Sequence, residues 1–431
     1  MNGRPSPVRQ ARGQDMSVAK TGMNQTSIQD SNRELLLNLL RSEGECARIT
    51  LAKLSGLKQA TVTNIINDFI RWGIVKEVGF LTGEKGRRSI GISLNKEEYG
   101  VIGIRITRKN YSLGLFNIAG EEIFSRVSED YTGVSAGDVF AHLLKSVDQC
   151  ICDAGDRKIL AIGVAIPGPY NRVTRRIELM TGASGWNQVP IEQELKNRYH
   201  LPIYLEQNAN AAAVAQYWYN RDKLDNDLLV YIAAGQGIGA GIISNGELVR
   251  GSIGTAGEIG HTSIDMAGPK CICGNRGCLE NYCSSIAFTK LVNERIRKQR
   301  FSADNAGDPS EGHEEITFQK AAELVRNGDE DAVDVYMKCC DRLAVGVVNI
   351  INSFNPKYLM LGDEMSHVAP ELMLQRVKQQ VKERTIPAIC DSTNISLSVV
   401  EHDSMVNGAA IVAITDIFRH PADFFKDSTT P

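Results

Sequence analysis

The sequence predicts an α/β protein with two parts: a small helical domain closed by a basic hairpin, and a larger body of alternating strands and helices. Three observations carry this. From Tyr99 onward, runs of β-type residues alternate with helical stretches, the order of an α/β body. Before Tyr99 the pattern is helix, helix, helix and then two short β-like runs. Charge divides at the same place: residues 1–95 hold 14 Lys+Arg against 8 Asp+Glu, and the remainder holds 34 against 43. A basic first quarter on an acidic body suggests that one end meets a polyanion.

The chain of 431 residues has room for two or three domains. No run approaches the roughly 18–20 apolar residues of a membrane helix, so no membrane association is expected. Residues 1–24 carry Arg4, Arg9 and Arg12 without an apolar stretch. They read as a flexible basic tail rather than a secretory signal, and the expected location is the cytoplasm. There is no tandem repeat.

Residues 25–95 form the first expected domain. Ser31 to Arg41 is helical, with Leu35, Leu36, Leu39 and Leu40 on one side and Gly44 at its end. A short helix spans about Thr50 to Ser55 before Gly56. A third runs from about Ala60 to Trp72, where Val62, Ile65, Ile66, Phe69 and Ile70 make one apolar stripe before Gly73. The β-like runs Ile74–Phe80 and Ser89–Leu94 flank a turn with Gly83, Lys85, Gly86, Arg87 and Arg88. This is the order of a winged helix-turn-helix.

In such a motif the second helix enters the major groove of double-stranded DNA. Here it turns Lys58, Gln59, Thr61, Thr63 and Asn64 away from the apolar stripe. Gln and Asn pair bidentately with adenine, and Lys reaches guanine acceptors. Arg87 and Arg88 at the hairpin tip suit phosphates or a minor groove. Lys58 stands where Ser or Thr would cap the helix better.

In the body, Val101–Ile106, Tyr111–Phe116, Ile159–Ile166 and Leu228–Ala234 read as strands, and Asn210–Tyr219 and Asp331–Ile351 as helices. The polar stretch 294–315 reads as a loop or insertion. Ten cysteines occur in the chain, and three fall within eight residues. His261, Cys271, Cys273 and Cys278 form His-x9-Cys-x-Cys-x4-Cys, a set of N and S donors suited to a closed, structural zinc site. Gly274 and Gly277 let the chain curl around the ion.

Gly257-Glu258-Ile259-Gly260-His261 followed by Cys271-Ile272-Cys273-Gly274-Asn275-Arg276-Gly277-Cys278-Leu279-Glu280 resembles the signature of the ROK family (repressors, open reading frames and sugar kinases). Gly163–Gly168, Gly185-Trp186-Asn187, Glu206–Asn210 and Gly235–Gly241 belong to the same resemblance. A winged helix ahead of it resembles the family's repressor branch, which includes the xylose and N-acetylglucosamine regulators. The resemblance implies an actin-like sensor domain over residues 96–431, usually dimeric or tetrameric. Lobe 1 would span about 96–205 plus a C-terminal helix at about 405–420, and lobe 2 about 206–404 with the zinc loop at 261–278. It also implies that Asn187, Glu258, His261 and Glu280, with Gln207 and Asn208 beside them, line a pocket for a sugar or sugar phosphate. Convergent acceptors and donors suit a ring of hydroxyls.

The family's kinases carry a catalytic aspartate in a Glu-Asn-Asp-Ala-Asn run, and here that position is Asn208. Their first phosphate loop opens with Asp-x-Gly, and here it reads Arg105-Ile106-Thr107. Their nucleotide-side Gly-Gly pair is Gly362-Asp363 here. Loss of a general base alone typically costs about 10²- to 10⁴-fold. The expectation is therefore a sugar-responsive transcriptional repressor of carbohydrate genes and not an enzyme. The alternatives are control by a protein partner of the sugar phosphotransferase system, or an active ATP-dependent sugar kinase with a DNA-binding arm.

Overall fold

The computed structural model describes residues 25–82, 88–178, 185–224, 226–303, 315–400 and 403–425. The tail expected at 1–24 and the hairpin tip with Arg87 lie outside the described residues, as does the side chain of Arg88.

The first part contains α1 (Gln25–Glu43), β1 (Cys46–Ala47), α2 (Arg48–Ser55), α3 (Gln59–Arg71), β2 (Val75–Thr82) and β3 (Arg88–Leu94). The strands form a small antiparallel sheet in the order β1-β3-β2. Gly44, Gly56 and Gly73 end the helices in the left-handed conformation that glycine adopts without strain. Lys58 precedes α3 without a side-chain cap, as its residue type predicts. In α1 the buried face is Leu36, Leu37 and Leu40, whereas Leu35 is exposed. The expected stripe is therefore rotated by about one residue, because α1 packs on the body of the protein as well as on α2.

The body begins with β4 (Tyr99–Ile106), β5 (Tyr111–Asn117), β6 (Glu122–Val127), α4 (Ala136–Asp153), β7 (Lys158–Ile166), β8 (Tyr170–Asn171), β9 (Arg176–Ile177), α5 (Ile191–Tyr199) and β10 (Ile203–Gln207). Then follow α6 (Asn208–Tyr219) and α7 (Arg221–Leu224). A second series has β11 (Leu229–Ala234), β12 (Ile238–Ser244), β13 (Glu247–Leu248), α8 (Glu280–Cys283), α9 (Ser285–Ala303), α10 (Phe318–Arg326) and α11 (Glu330–Phe354). It continues through β14 (Tyr358–Gly362), α12 (Pro370–Arg384), α13 (Pro387–Ser392), β15 (Asn394–Leu397), α14 (Ser404–Arg419) and α15 (Pro421–Phe425).

Among the described residues the body has two five-stranded sheets, β10-β7-β4-β5-β6 and β13-β12-β11-β14-β15. They are the same sheet twice. In each, the first strand pairs antiparallel with the second and parallel with the fourth, and the fifth runs parallel to the fourth. The helix after each fifth strand then crosses over. α6 leaves the first sheet and packs on β11 and β12 of the second, while α14 leaves the second and packs on β4 and β7 of the first. β10 continues through Gln207, two residues past the boundary expected at 205.

These crossings are backbone against backbone. A Cβ on Gly163 of β7 would lie 1.8 Å from the Ala409 carbonyl oxygen of α14, and one on Gly103 of β4 would lie 2.3 Å from that of Val406. A Cβ on Gly241 of β12 would lie 2.3 Å from the Ala209 carbonyl oxygen of α6. Gly408 joins the two helices, since its Cβ would stand 1.8 Å from the Ala211 carbonyl oxygen.

Among the described residues the N-terminal part has no separate core. Leu36, Leu37, Leu40, Phe69 and Trp72 share one buried cluster with Val101, Phe116, Ile414 and Phe418 of the body. Tyr99 Oη donates to the Trp72 carbonyl oxygen at 2.9 Å. The stretch expected as a loop at 294–315 is helical as far as Ala303. Tertiary partners hold it: Arg295 pairs with Asp331 and Asp334 of α11, and Asn293 hydrogen-bonds both backbone groups of Ile316. No described helix is long and apolar enough to cross a membrane.

Gly163→Ala is expected to destabilise the protein by about 1–3 kcal/mol or more in urea denaturation, because the added methyl meets backbone that has no room to give. Gly137→Ala is the control: its Cβ would have no neighbour closer than 4.0 Å, and no loss is expected.

Candidate functional site: an inter-lobe cleft, a thiol-imidazole cluster and an exposed helix face

On α3 the buried side is Val62, Ile65, Ile66 and Phe69, as the stripe predicts. Lys58, Gln59 and Asn64 are exposed, whereas Thr61 and Thr63 are half-buried. The Thr63 hydroxyl donates to the Gln59 carbonyl oxygen at 2.9 Å. Asn67 is also exposed, three residues after Asn64 on the same face. It is a candidate base-reading residue that the same periodicity could have supplied.

Between the two sheets lies a cavity of about 110 Å³. Gln207, Asn208, Glu258, His261 and Glu280 all line it, as do Arg105, Arg108, Gln236 and Asp363. Asn187 does not. The turn Trp186–Gln188 is anchored by Trp186, buried in the core of the first lobe, and Asn187 faces outward into a separate groove.

The end of β10 is fixed by Glu206, which is almost wholly buried. It accepts from Arg172 and Arg250, each at 3.1 Å, and from Asn210 at 3.0 Å. That anchor sets Gln207 and Asn208 at the rim of the cleft. Asn208 Nδ2 donates to the Ile106 carbonyl oxygen at 3.2 Å, a bond that an aspartate could not make when ionised. Asn208 Oδ1, Gln207 Nε2 and Gln236 Oε1 are buried without a hydrogen-bond partner. Burial, and then the nearby Glu280, push the Glu258 carboxyl up to about 7. Glu280 accepts from the Ile238 N–H at 3.2 Å and faces Arg108 at 3.8 Å.

Across the cleft, Arg105 of β4 reaches Asp363 at the end of β14 at 2.9 Å and Asp403, the cap of α14, at 3.1 Å. Burial alone would lower the guanidinium pKa, but the two carboxylates outweigh it and raise it above its ordinary value. The pair ties the two lobes together. Asp363 adopts φ 72°, ψ −170°, a region populated essentially by glycine. It lies over Gly235, where a Cβ would stand 2.1 Å from Asp363 Oδ2.

His261, Cys271, Cys273 and Cys278 converge, with their donor atoms all within 4.8 Å of one another. Cys271 Sγ is 3.7 Å from His261 Nδ1, and Cys273 Sγ is 3.6 Å from Cys278 Sγ. A tetrahedron of sulfurs about 2.3 Å from one ion has edges of about 3.8 Å, so the donor set fits a closed four-coordinate ion. Gly277 permits the curl: at φ 63° it passes so close to Asp265 that a Cβ would lie 1.8 Å from its carbonyl oxygen. The imidazole uses both nitrogens. Nδ1 faces the thiols, and Nε2 faces Glu258 Oε2 in the cleft at 4.0 Å.

With this geometry in view, comparison with known proteins is decisive. The ROK family model matches residues 101–416. The chain belongs to the ROK family. It is 29% identical over 408 residues to the xylose repressor of Caldicellulosiruptor bescii, covering 92% of this chain and 99% of the relative. It is 28% identical over 315 residues to the glucokinase of Thermotoga maritima, covering 72% of this chain and 96% of the enzyme. A solved ROK family transcriptional regulator, a homologue of the E. coli Mlc protein, shares the fold with a TM-score of 0.74. It is 24% identical and covers 93% of this chain and 100% of its own. The repressor match thus takes in 92% of this chain and the kinase match 72%.

Missed by the sequence reading were Arg108 and Gln236 as cleft residues and Asp403 as an ion-pair partner of Arg105. Gln236 sits inside the Gly235–Gly241 run and could have been found there. Asp403 lies 298 residues from Arg105, and no spacing rule links them.

If Asp363 is held in a glycine conformation, Asp363→Gly should be less destabilising than Asp363→Ala by about 1 kcal/mol or more. Both lose the Arg105 pair, so their difference in urea denaturation isolates the backbone strain. Equal losses would remove the assignment of strain.

Proposed function

We propose that the chain is a sugar-responsive DNA-binding repressor whose sensor is a ROK domain without kinase activity. One observation carries the sensing half: Gln207 Nε2, Asn208 Oδ1 and Gln236 Oε1 are buried and unpartnered beside the Glu258 and Glu280 carboxylates. Unmade hydrogen bonds in a buried site cost about 1–3 kcal/mol each. A monosaccharide offers hydroxyls that both donate and accept, which satisfies the whole set. At about 110 Å³ the cleft is smaller than the roughly 300–1,000 Å³ of ordinary ligand pockets, so occupancy requires the lobes to part.

The non-catalytic half rests on the same cleft. Asn208 stands at the base position as a hydrogen-bond donor, and the Arg105–Asp363 pair fills the place of the phosphate loops with a cation and a side chain. The DNA half rests on the exposed Lys58, Gln59 and Asn64. One recognition helix reads only a few base pairs, so a dimer or tetramer on a two-fold symmetric operator is the form expected to act. The relative in C. bescii is named a xylose repressor, which puts D-xylose first among the sugars to test.

The test is thermal shift against D-xylose, other monosaccharides and their phosphates, with operator binding followed in parallel. A ligand at 100 times its Kd adds about 2.7 kcal/mol of stability. Gly168→Ala should abolish that shift with the fold and operator affinity kept, because its Cβ would stand 2.9 Å from Glu258 Oε1 and 3.1 Å from Gln207 Cδ. A coupled ATP assay over the same sugars should show no turnover. Robust phosphorylation of any of them would make the chain a kinase.

The thiol-imidazole cluster is assigned to structural zinc held by His261, Cys271, Cys273 and Cys278. Through Nδ1, zinc would fix the ring so that Nε2–H points at the cleft beside Glu258. Metal analysis should find about one zinc per chain. Stripping it with a chelator should lower the melting temperature and weaken the response to sugar while operator binding persists. Protein prepared without chelator that contains no zinc would overturn the assignment.

A further inference from the structure

The geometry points to a lever made of α6 and α14, with Arg41 on Trp218 as the contact that passes a change in the cleft to the DNA-reading part. This inference rests on the sensor reading above only for the identity of the signal.

Both helices begin in the cleft. Asn208 opens α6, and Asp403, held by Arg105, caps α14. Both end beneath α1. There the rings of Trp218 of α6 and Phe418 of α14 lie 5.9 Å apart. The exchange of helices between sheets gives the pair its mechanical sense. α14 is pressed onto the first sheet at Gly103 and Gly163, and α6 onto the second at Gly241. A rotation of one lobe against the other must therefore turn α6 against α14 about their close contact at Gly408, and the far ends of the two helices must shift with it.

The DNA-reading part touches both ends. It rides with the first sheet through the core shared with α14 and through the Tyr99–Trp72 hydrogen bond. It meets the other helix through Arg41, whose guanidinium lies over the Trp218 ring at 4.3 Å. Arg41 Nε is buried without a hydrogen-bond partner and the guanidinium is stacked on the indole face, with the Asp222 carboxylate nearby. Arg419, at the end of α14, spans Glu34 of α1 and Glu247 of β13, a second tie from α1 to both lobes. On that flank α1 borders a cavity of about 640 Å³ lined by Glu34, Asn38, Trp218 and Arg419, which leaves it room to move. Arg41 is then a positioning residue: it touches neither DNA bases nor the cleft, yet it carries the coupling between them.

The test needs no ligand. Asp363→Gly cuts the inter-lobe pair with Arg105 at a position whose backbone suits glycine. In the full-length protein it should change affinity for a DNA fragment from the chain's own promoter by about 5-fold or more, the lower end of ordinary allosteric coupling. In an Arg41→Gln background the same substitution should change it less than about 2-fold. Arg41→Gln alone should leave operator affinity near wild type, and Arg41→Lys should retain the response, since an ammonium also binds an indole face. Trp218→Leu removes the other half of the contact and should repeat the Arg41→Gln pattern should that variant fail to fold. Additive effects of Asp363→Gly and Arg41→Gln would overturn the lever, as would an Asp363→Gly protein with wild-type operator affinity. D-Xylose added to the wild type separates the two readings. Non-additivity without any sugar response retains the lever and removes the sugar, and a sugar response with additive substitutions does the reverse.

Discussion

The close approach of α14 to β4 and β7 is the contact on which the rest of the structure depends. Gly103 and Gly163 bring the helix so near the first sheet that no side chain intervenes, and Gly408 brings it equally near α6. Such contacts are stiff, because they have no rotamers to relax. They turn two chemically ordinary helices into a single hinge between two copies of one sheet. The apolar side of that hinge is also the floor on which the DNA-reading helices are built, so that part cannot be displaced without opening a core it shares with α14.

The cleft is closed by an ion pair between the lobes. The cation at 105 and the aspartate at 363 satisfy one another across the lobes at 2.9 Å. Buried ion pairs add little net stability over apolar replacements, but breaking one is costly, about 3–5 kcal/mol. The pair is thus weak evidence for stability and a good device for specifying one arrangement of the lobes. Asn208 follows the same logic, since its amide is spent on the Ile106 carbonyl oxygen rather than on proton transfer. The unpartnered groups left over, Gln207, Asn208 and Gln236, are what a hydroxylated ligand would find. His261 stands between this cleft and the thiol cluster, with Nδ1 3.7 Å from Cys271 Sγ and Nε2 4.0 Å from Glu258 Oε2.

Much of the site is legible in the sequence. His261, Cys271, Cys273 and Cys278 are close in sequence, and a local spacing with glycines between them is enough to predict their convergence. The exposed face of α3 follows from helical periodicity alone, and so does Asn67, which the same rule would have added. Asn187 lies outside the cavity because its neighbour Trp186 is drawn into the core of the first lobe, an event no local pattern encodes. The helix through Glu294–Ala303 was read as loop because its sequence is polar, and its partners on α11 and at Ile316 become neighbours only on folding.

By itself, then, the sequence determined what depends on short range: the helices and strands, the left-handed glycine stops and the thiol-imidazole cluster. The tertiary structure decided what depends on chain segments hundreds of residues apart. It showed that the body is one sheet topology used twice, although the chain shows no tandem repeat. It showed that α6 and α14 exchange sheets, that Arg105 finds Asp363 and Asp403, and that Arg41 rests on Trp218. The physical reason is that periodicity and capping are local energies, whereas an ion pair or a helix crossing is fixed by packing the whole chain at once, and residues at such contacts carry no mark in the sequence of the partner they will meet.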